Sequence, residues 1–316
     1  MHRRRTAGVV AAGALVLALT SAGCTISASG PPARGATASA PGATPSGPSV
    51  LTGEPGAAGK VLAVKIDNVG AARPQTGLNS ADIVYGIEVE GGLSRLMAVF
   101  DTAHLPPVVG PVRSARETDL QLLGQYDHPV LAFSGAQSHL LPVLKAATNI
   151  VPVTGTGAFF RSSGKPAPHN EYLHTAGVAD KAGVAKDIGL RFSAALPPGG
   201  TTGTGTSVSM PSARFTFTWS GGHYRIAMDG SPTPWTADNV IVQHVTVKES
   251  RFHSRTGFVP FSQTVGTGTA QILRDDHSYA SHWSRPSDTS PTTFTTPTGT
   301  PVPLHPGRTW IVLAPQ

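Results

Sequence analysis

Two arginines three residues apart, Arg113 and Arg116, bracket Ser114 and Ala115 and are followed by Glu117. Ser114-Ala115-Arg116-Glu117 has the spacing of a capping box, which predicts Ser114 as N-cap of a helix running through Leu123. Free backbone N–H groups and the positive end of the helix dipole would then sit between two guanidinium groups. That combination suits a phosphate or a carboxylate, because arginine offers paired planar donors. The competing reading pairs the two arginines with Glu117, Asp119 or Asp82 and makes them anchors of the loop.

Carboxylates and a histidine supply further candidates. Glu88 and Glu90 flank Val89, and on a strand they share one face, where paired carboxylates serve as acid and base or hold a hard cation. If Gly91-Gly92 forms a two-residue turn, Glu90 pairs with Leu93 and Glu88 with Arg95, an ordinary cross-strand ion pair. Asp67-Asn68 ends an apolar run, and Arg73 opens the loop that follows. His169, between Pro168 and Asn170, is a general-base candidate or a plain loop residue.

Several chemistries are absent from the pattern. No His-Glu-x-x-His occurs, and His169 and His174 lack the spacing of a zinc pair, so neither metal nor cofactor is expected. Ser162-Ser163-Gly164-Lys165 fits a Ser-x-x-Lys pattern, but Gly164 and Pro166 oppose the helix this motif needs. Gly164-Lys165 also lacks the upstream Gly and following Ser/Thr of a phosphate-binding loop.

The elements that must carry these residues are read from periodicity. Val61–Ile66, residues 81–90, residues 93–101, residues 130–133 and residues 150–153 are predicted strands, with helices over 114–123, 138–147 and 175–190. Strands alternating with helices predict an α/β domain with a mixed sheet over residues 60–196. Residues 197–211, rich in Gly, Pro, Ser and Thr, are predicted as a linker or exposed loop. Beyond it the patterns at 215–219, 224–228, 240–247, 269–273 and 310–313 predict a smaller β-rich domain over 212–316.

Cys24 is the only cysteine in the 316 residues. Arg3, Arg4 and Arg5, an apolar run from Ala7 to Leu19 and Ser21-Ala22-Gly23 precede it, the pattern of a bacterial lipobox cut before a lipid-bearing cysteine. Residues 1–23 are therefore expected to be a signal peptide, and residues 24–59, nearly all Ala, Gly, Pro, Ser and Thr, a disordered tether. Removing the three arginines takes the formal charge from +6 to +3. No basic run or aromatic-basic motif remains, so nucleic acid is not an expected partner. With Cys24 acylated, the folded part has no cysteine nucleophile and no disulfide.

Residues 72–78 (ARPQTGL), 81–85 (ADIVY), 90–95 (EGGLSR), 110–116 (GPVRSAR) and 168–172 (PHNEY) resemble the YerB-like family of bacterial lipoproteins. Residues 239–243 (NVIVQ) and 306–310 (PGRTW) are similar to the family's second part, with His277 where a Gly is expected after Asp276. The resemblance implies a two-domain extracytoplasmic lipoprotein carrying a domain of unknown function, and implies no reaction.

These readings together lead to an expected function. It is a lipid-anchored protein on the extracytoplasmic face of the cell membrane, with Arg113, Ser114 and Arg116 binding an anionic envelope polymer or lipid headgroup. Asp67, Asn68, Arg73, Glu88, Glu90, Arg95, His169 and Asn170 are the further candidates. One alternative is a hydrolase or transferase acting on an envelope polymer. Another is an assembly or docking factor using the β-rich part.

Overall fold

Strand dominates this chain. The computed structural model describes residues 47–203, 205–253 and 257–316; Cys24, the expected signal peptide and most of the expected tether lie outside them. Residues 45–316 form one compact unit.

The expected tether is shorter than its composition implied, because residues 47–59 pack on the folded part. Leu51 is fully buried, and the backbone N–H of Gly53 donates to the Ser49 carbonyl. One apolar side chain, worth about 1.5–3 kcal/mol when buried, is enough to pin a short polar segment.

Three strands frame the site: β1 (Val61–Asp67), β2 (Ile83–Glu88) and β3 (Ser94–Asp101). β3 pairs antiparallel with both others and lies between them. Outward from β1 run the parallel strands Val130–Ala132 and Val151–Val153. Outward from β2 the C-terminal strand Thr309–Pro315 pairs parallel with β2 and with Asn239–Val245. Gly266–Arg274, His277–Arg285 and Thr293–Thr295 continue the sheet, each antiparallel to its neighbour. The result is one mixed sheet of eleven described strands, in which the two halves of the sequence are joined at Thr309–Pro315.

Both faces of this sheet are covered, which is why β1 is buried along its whole length. On one face Leu62, Val64, Leu96 and Ala98 meet Phe215, Phe217, Ile226 and Met228. The latter belong to a four-stranded antiparallel meander spanning residues 206–237. On the other face Ala63, Tyr85, Ile87 and Met97 pack with Leu122, Leu123, Leu140 and Leu144 of helices α1 (Glu117–Leu123) and α2 (Leu140–Ala146).

The expected α/β character of the N-terminal half reduces to a mixed sheet with short helices. The expected helix over 175–190 is a single turn, Ala176–Ala179. Its remainder lies along the start of β1: Val61 N–H donates to the Gly183 carbonyl, and Ala185 N–H to that of Gly59. A Cβ on Gly183 would lie 2.1 Å from the Asp127 carbonyl oxygen, so close approach dictates glycine there. The expected linker is also partly strand, since Thr206–Met210 opens the meander. At the turn where a Gly was expected, Asp275 and Asp276 take positive φ themselves, and His277 already pairs with Arg274. Trp235, Trp283 and Trp310 are buried core residues.

Candidate site at the end of the central strands

The β2–β3 turn sets which side chains can meet. Gly91 and Gly92 both adopt left-handed conformations, φ 70° and 68°, which glycine enters without steric cost. Glu90 belongs to this loop too, and Val89 N–H donates to the Leu93 carbonyl at 2.8 Å. The expected two-residue turn is therefore a three-residue one. Glu88 faces Ser94, and Ile87 faces Arg95. The expected Glu88–Arg95 pair does not form, because a one-residue change of register exchanges the faces.

Arg95 consequently points to the α1 side of the sheet, where its partner across β1–β3 is Asp67. Beyond Val64 the neighbour of β1 is no longer Val130–Ala132 but the loop over 110–116. Asp67 N–H donates to the Pro111 carbonyl, and Arg113 N–H to that of Lys65. A Cβ on Gly110 would lie 2.6 Å from the Tyr172 ring, so this loop needs glycine to seat against the 171–174 strand. Arg113 is thereby laid beside Asp67.

Asp67 is the hub of the cluster. Its Oδ2 lies 2.7 Å from His169 Nδ1 and 3.0 Å from Arg113 Nε, and the side chain is 2% exposed. The Arg113 contact is an ion pair without an aligned N–H bond, as Nε has no hydrogen-bond acceptor. Gln75 Nε2 donates to the Asp67 carbonyl, locking the strand end. Lys165, which sequence motifs had only put forward to be rejected, donates to the carbonyls of Ala72 and Pro74. Burial lowers its pKa, and the charge of nearby Asp67 opposes that effect.

Arg116 is held by Glu90 through two bonds, Nε–Oε1 at 2.5 Å and Nη2–Oε2 at 2.8 Å. Burial works to raise the Glu90 pKa, but this paired contact overcomes it and leaves the pKa lowered. Arg95 makes no ion pair with a described residue; its Nη1 donates to the Ser114 carbonyl at 3.0 Å. Burial lowers Arg95 to about 10, reinforced by Arg116 and Arg113 and opposed by Glu90 and Asp67. Three guanidinium groups thus crowd one edge that offers two carboxylates.

The helix start differs from the expected one. α1 begins at Glu117 with Arg116 as N-cap, its N–H donating to Asp119 Oδ2 at 2.7 Å. Ser114 therefore lies outside the helix and contributes its carbonyl, not a cap. Asp119 Oδ1 also takes the ammonium of Lys65 at 2.7 Å, both side chains being fully buried. Glu117 reaches the opposite way, accepting from the Ser250 hydroxyl and Arg251. Neither Arg113 nor Arg116 pairs with Glu117, Asp119 or Asp82.

The remaining candidates fall outside the cluster. Glu88 is buried on the opposite face, where burial raises its pKa. Asn68 donates to Ser94 Oγ and accepts from Gln75, a structural role. Arg73 bonds the Asn68 carbonyl and Asp229, tying this loop to the meander. Asn170 holds Arg161 at 2.7 Å. Asp82, Asp101, His104 and Arg308 line a separate cleft of about 430 Å³ at the other end of β2 and β3. Burial raises Asp82 there to about 6, and its Oδ2 accepts from Asp101 N–H. Among the described residues no cluster of His, Cys, Asp and Glu has metal-holding geometry.

Similarity to known proteins is consistent over both halves. Residues 51–188 match "Protein of unknown function (DUF3048) N-terminal domain", and residues 206–311 match the DUF3048 C-terminal domain. The chain is 36% identical over 114 residues to "Putative lipoprotein YerB" of Bacillus subtilis (strain 168), 35% of this chain and 34% of that protein's length. It therefore spans about a third of that relative. The crystal structure of YerB protein from Bacillus subtilis matches with a TM-score of 0.71 at 22% identity, covering 85% of this chain and 97% of the other, a likeness of fold. With both characteristic parts present in order, the chain belongs to the DUF3048 family, whose function is unknown.

Proposed function

We propose that this protein is a lipoprotein held through Cys24 on the extracytoplasmic face of the cell membrane. In this reading its folded part binds an anionic ligand of the cell envelope through Arg95, Arg113 and Arg116. The observation that carries the binding site is Arg95, a largely enclosed guanidinium with no carboxylate partner among the described residues, beside two other arginines. A cation in that position costs solvation energy that a bound anion would offset. The anchor rests on the lipobox pattern and on the relative's name. No helix among the described residues is long and apolar enough to cross a membrane.

The docking-factor reading has less support. Of the large apolar side chains exposed among the described residues, Leu93, Val143, Val184, Leu196 and Phe258, only Phe258 lies in the β-rich part. The test is calorimetric titration with glycerol phosphate, with a carboxylate-bearing peptidoglycan peptide, and with vesicles of anionic lipid. Binding to one of them that is lost in the Arg95→Gln, Arg113→Gln double variant supports the site. Equal affinity in a folded double variant removes it.

A further inference from the structure

We propose that Asp67 and His169 form a general-base pair that hydrolyses a phosphate ester held at the arginine cluster, an inference that rests on the anion-binding reading above. The geometry is directional. Asp67 is buried and takes His169 Nδ1 at 2.7 Å, which places the Nδ1 proton between them and leaves the lone pair of the neutral ring on Nε2. Nε2 bonds no described residue and is not among the buried unpaired atoms, so it reaches solvent from a side chain 21% exposed. A buried carboxylate orienting an imidazole whose far nitrogen is open is the arrangement by which histidine withdraws a proton from a hydroxyl or water.

Arg113 shares the same carboxylate oxygen with His169, so its guanidinium is beside the ring. Only its Nε faces Asp67, and Nη1 and Nη2 bond no described residue. That free pair matches two oxygens of a phosphoryl group and is placed to stabilise the charge that grows there. Arg95, which pairs with no carboxylate among the described residues, adds a second cation on the same edge. A carboxylic ester would use one oxyanion contact, whereas a phosphoryl group uses both guanidinium groups. The substrate class is therefore a phosphate monoester or diester.

The reaction balances without a co-reactant. Water gives a proton to His169 Nε2 as its oxygen bonds to phosphorus; the phosphorus–oxygen bond to the leaving group breaks with its electron pair. The leaving oxygen takes up a proton from solvent, and the imidazolium returns its own to solvent. Asp67 is a positioning residue, holding the ring and offsetting the positive charge it acquires.

The detergent-solubilised full chain, incubated with 4-nitrophenyl phosphate and with bis(4-nitrophenyl) phosphate, tests this. Turnover of at least one probe is expected, falling about a hundredfold or more in His169→Gln and also falling in Asp67→Asn. The pH–rate profile of wild type should differ in shape from that of His169→Gln, a readout that a merely structural role would not move. Turnover of neither probe, or turnover that survives in folded His169→Gln, overturns the general base. Titration of the same preparation with sulfate separates the two readings. Sulfate binding without turnover removes the base pair and leaves the anion site standing, whereas neither binding nor turnover removes both.

Discussion

Asp67 and Arg95 stand directly opposite each other across the β1–β3 pair, yet the Asp67 carboxylate is bound to His169 and Arg113 instead. An antiparallel neighbour would ordinarily take the aspartate, and here two loop residues from elsewhere in the chain outcompete it. Arg95 is left with a backbone carbonyl as its partner. The anion binding proposed for this site would follow from that displacement.

Arg95→Gln should therefore weaken sulfate or glycerol phosphate binding by roughly tenfold or more, equivalent to about 1.4 kcal/mol. Its effect on folding should be small, because no ion pair is lost. Arg116→Gln should lower stability as well as binding, as it strips Glu90 of its two bonds. Calorimetric titration and thermal melting of both variants check the contrast. Similar binding losses with similar melting shifts would contradict it.

The buried pair Lys65–Asp119 makes a separate prediction about stability. Lys65→Met would strand the Asp119 charge and should cost about 3–5 kcal/mol. Adding Asp119→Leu should recover part of the loss, although Arg116 then lacks the acceptor for its N–H. Urea unfolding of the single and double variants reads both numbers. A single variant within about 1 kcal/mol of wild type would mean that this pair is not isolated from water.

Asp82 gives the molecule a pH dependence of defined sign. Its folded pKa of about 6 lies above the ordinary 3.8, so the folded state binds the proton more tightly than the unfolded chain. The stability this confers is full below about pH 4 and is lost as pH rises through about 6. Asp82→Asn keeps an acceptor for Asp101 N–H and avoids the buried charge. It should be more stable than wild type at pH 7.5, by on the order of 1–3 kcal/mol, and the difference should shrink toward pH 4. Melting curves across that range decide; a gap independent of pH would refute the assignment.

Within the stretch between the two family regions, 189–205, residues 196–203 are largely exposed. They contain no Lys or Arg, so subtilisin is a suitable probe and trypsin is not. If a boundary lies there, a nick should yield two fragments. These should co-elute under native conditions, because Thr309–Pro315 remains paired with β2. Fragments that separate without denaturant would show that this strand pairing does not hold the halves together.

Cys24→Ala should move the protein from the membrane fraction to the soluble fraction or leave an unprocessed precursor. Mass spectrometry of the wild-type N-terminus should show a lipid-bearing residue 24. A mature chain beginning elsewhere without lipid would refute the anchor.

Much of the sheet was legible from one-dimensional pattern. The apolar run of β1 announces a buried strand, the patterns of β2 and β3 announce strands, and paired glycines at 91 and 92 announce the turn between those two. The register was not legible, because whether Glu90 joins the turn or the strand depends on the left-handed backbone of both glycines. Lys65 was a missed signal: a charge inside a buried apolar run requires a buried partner, which proved to be Asp119. The helix expected over 175–190 failed because its residues satisfy backbone groups of distant segments rather than those of their own next turn.

The sequence alone determined the residue types available to the site, the positions of most strands and the candidate anchor at Cys24, since these depend on local spacing and composition. Tertiary structure alone decided that Asp67 meets His169, 102 residues away, and that the Arg116 guanidinium meets Glu90 while only its backbone N–H goes to Asp119. Ion-pair partners are chosen by which charges the folded backbone leaves within reach and shielded from water, and no sequence window contains that distance.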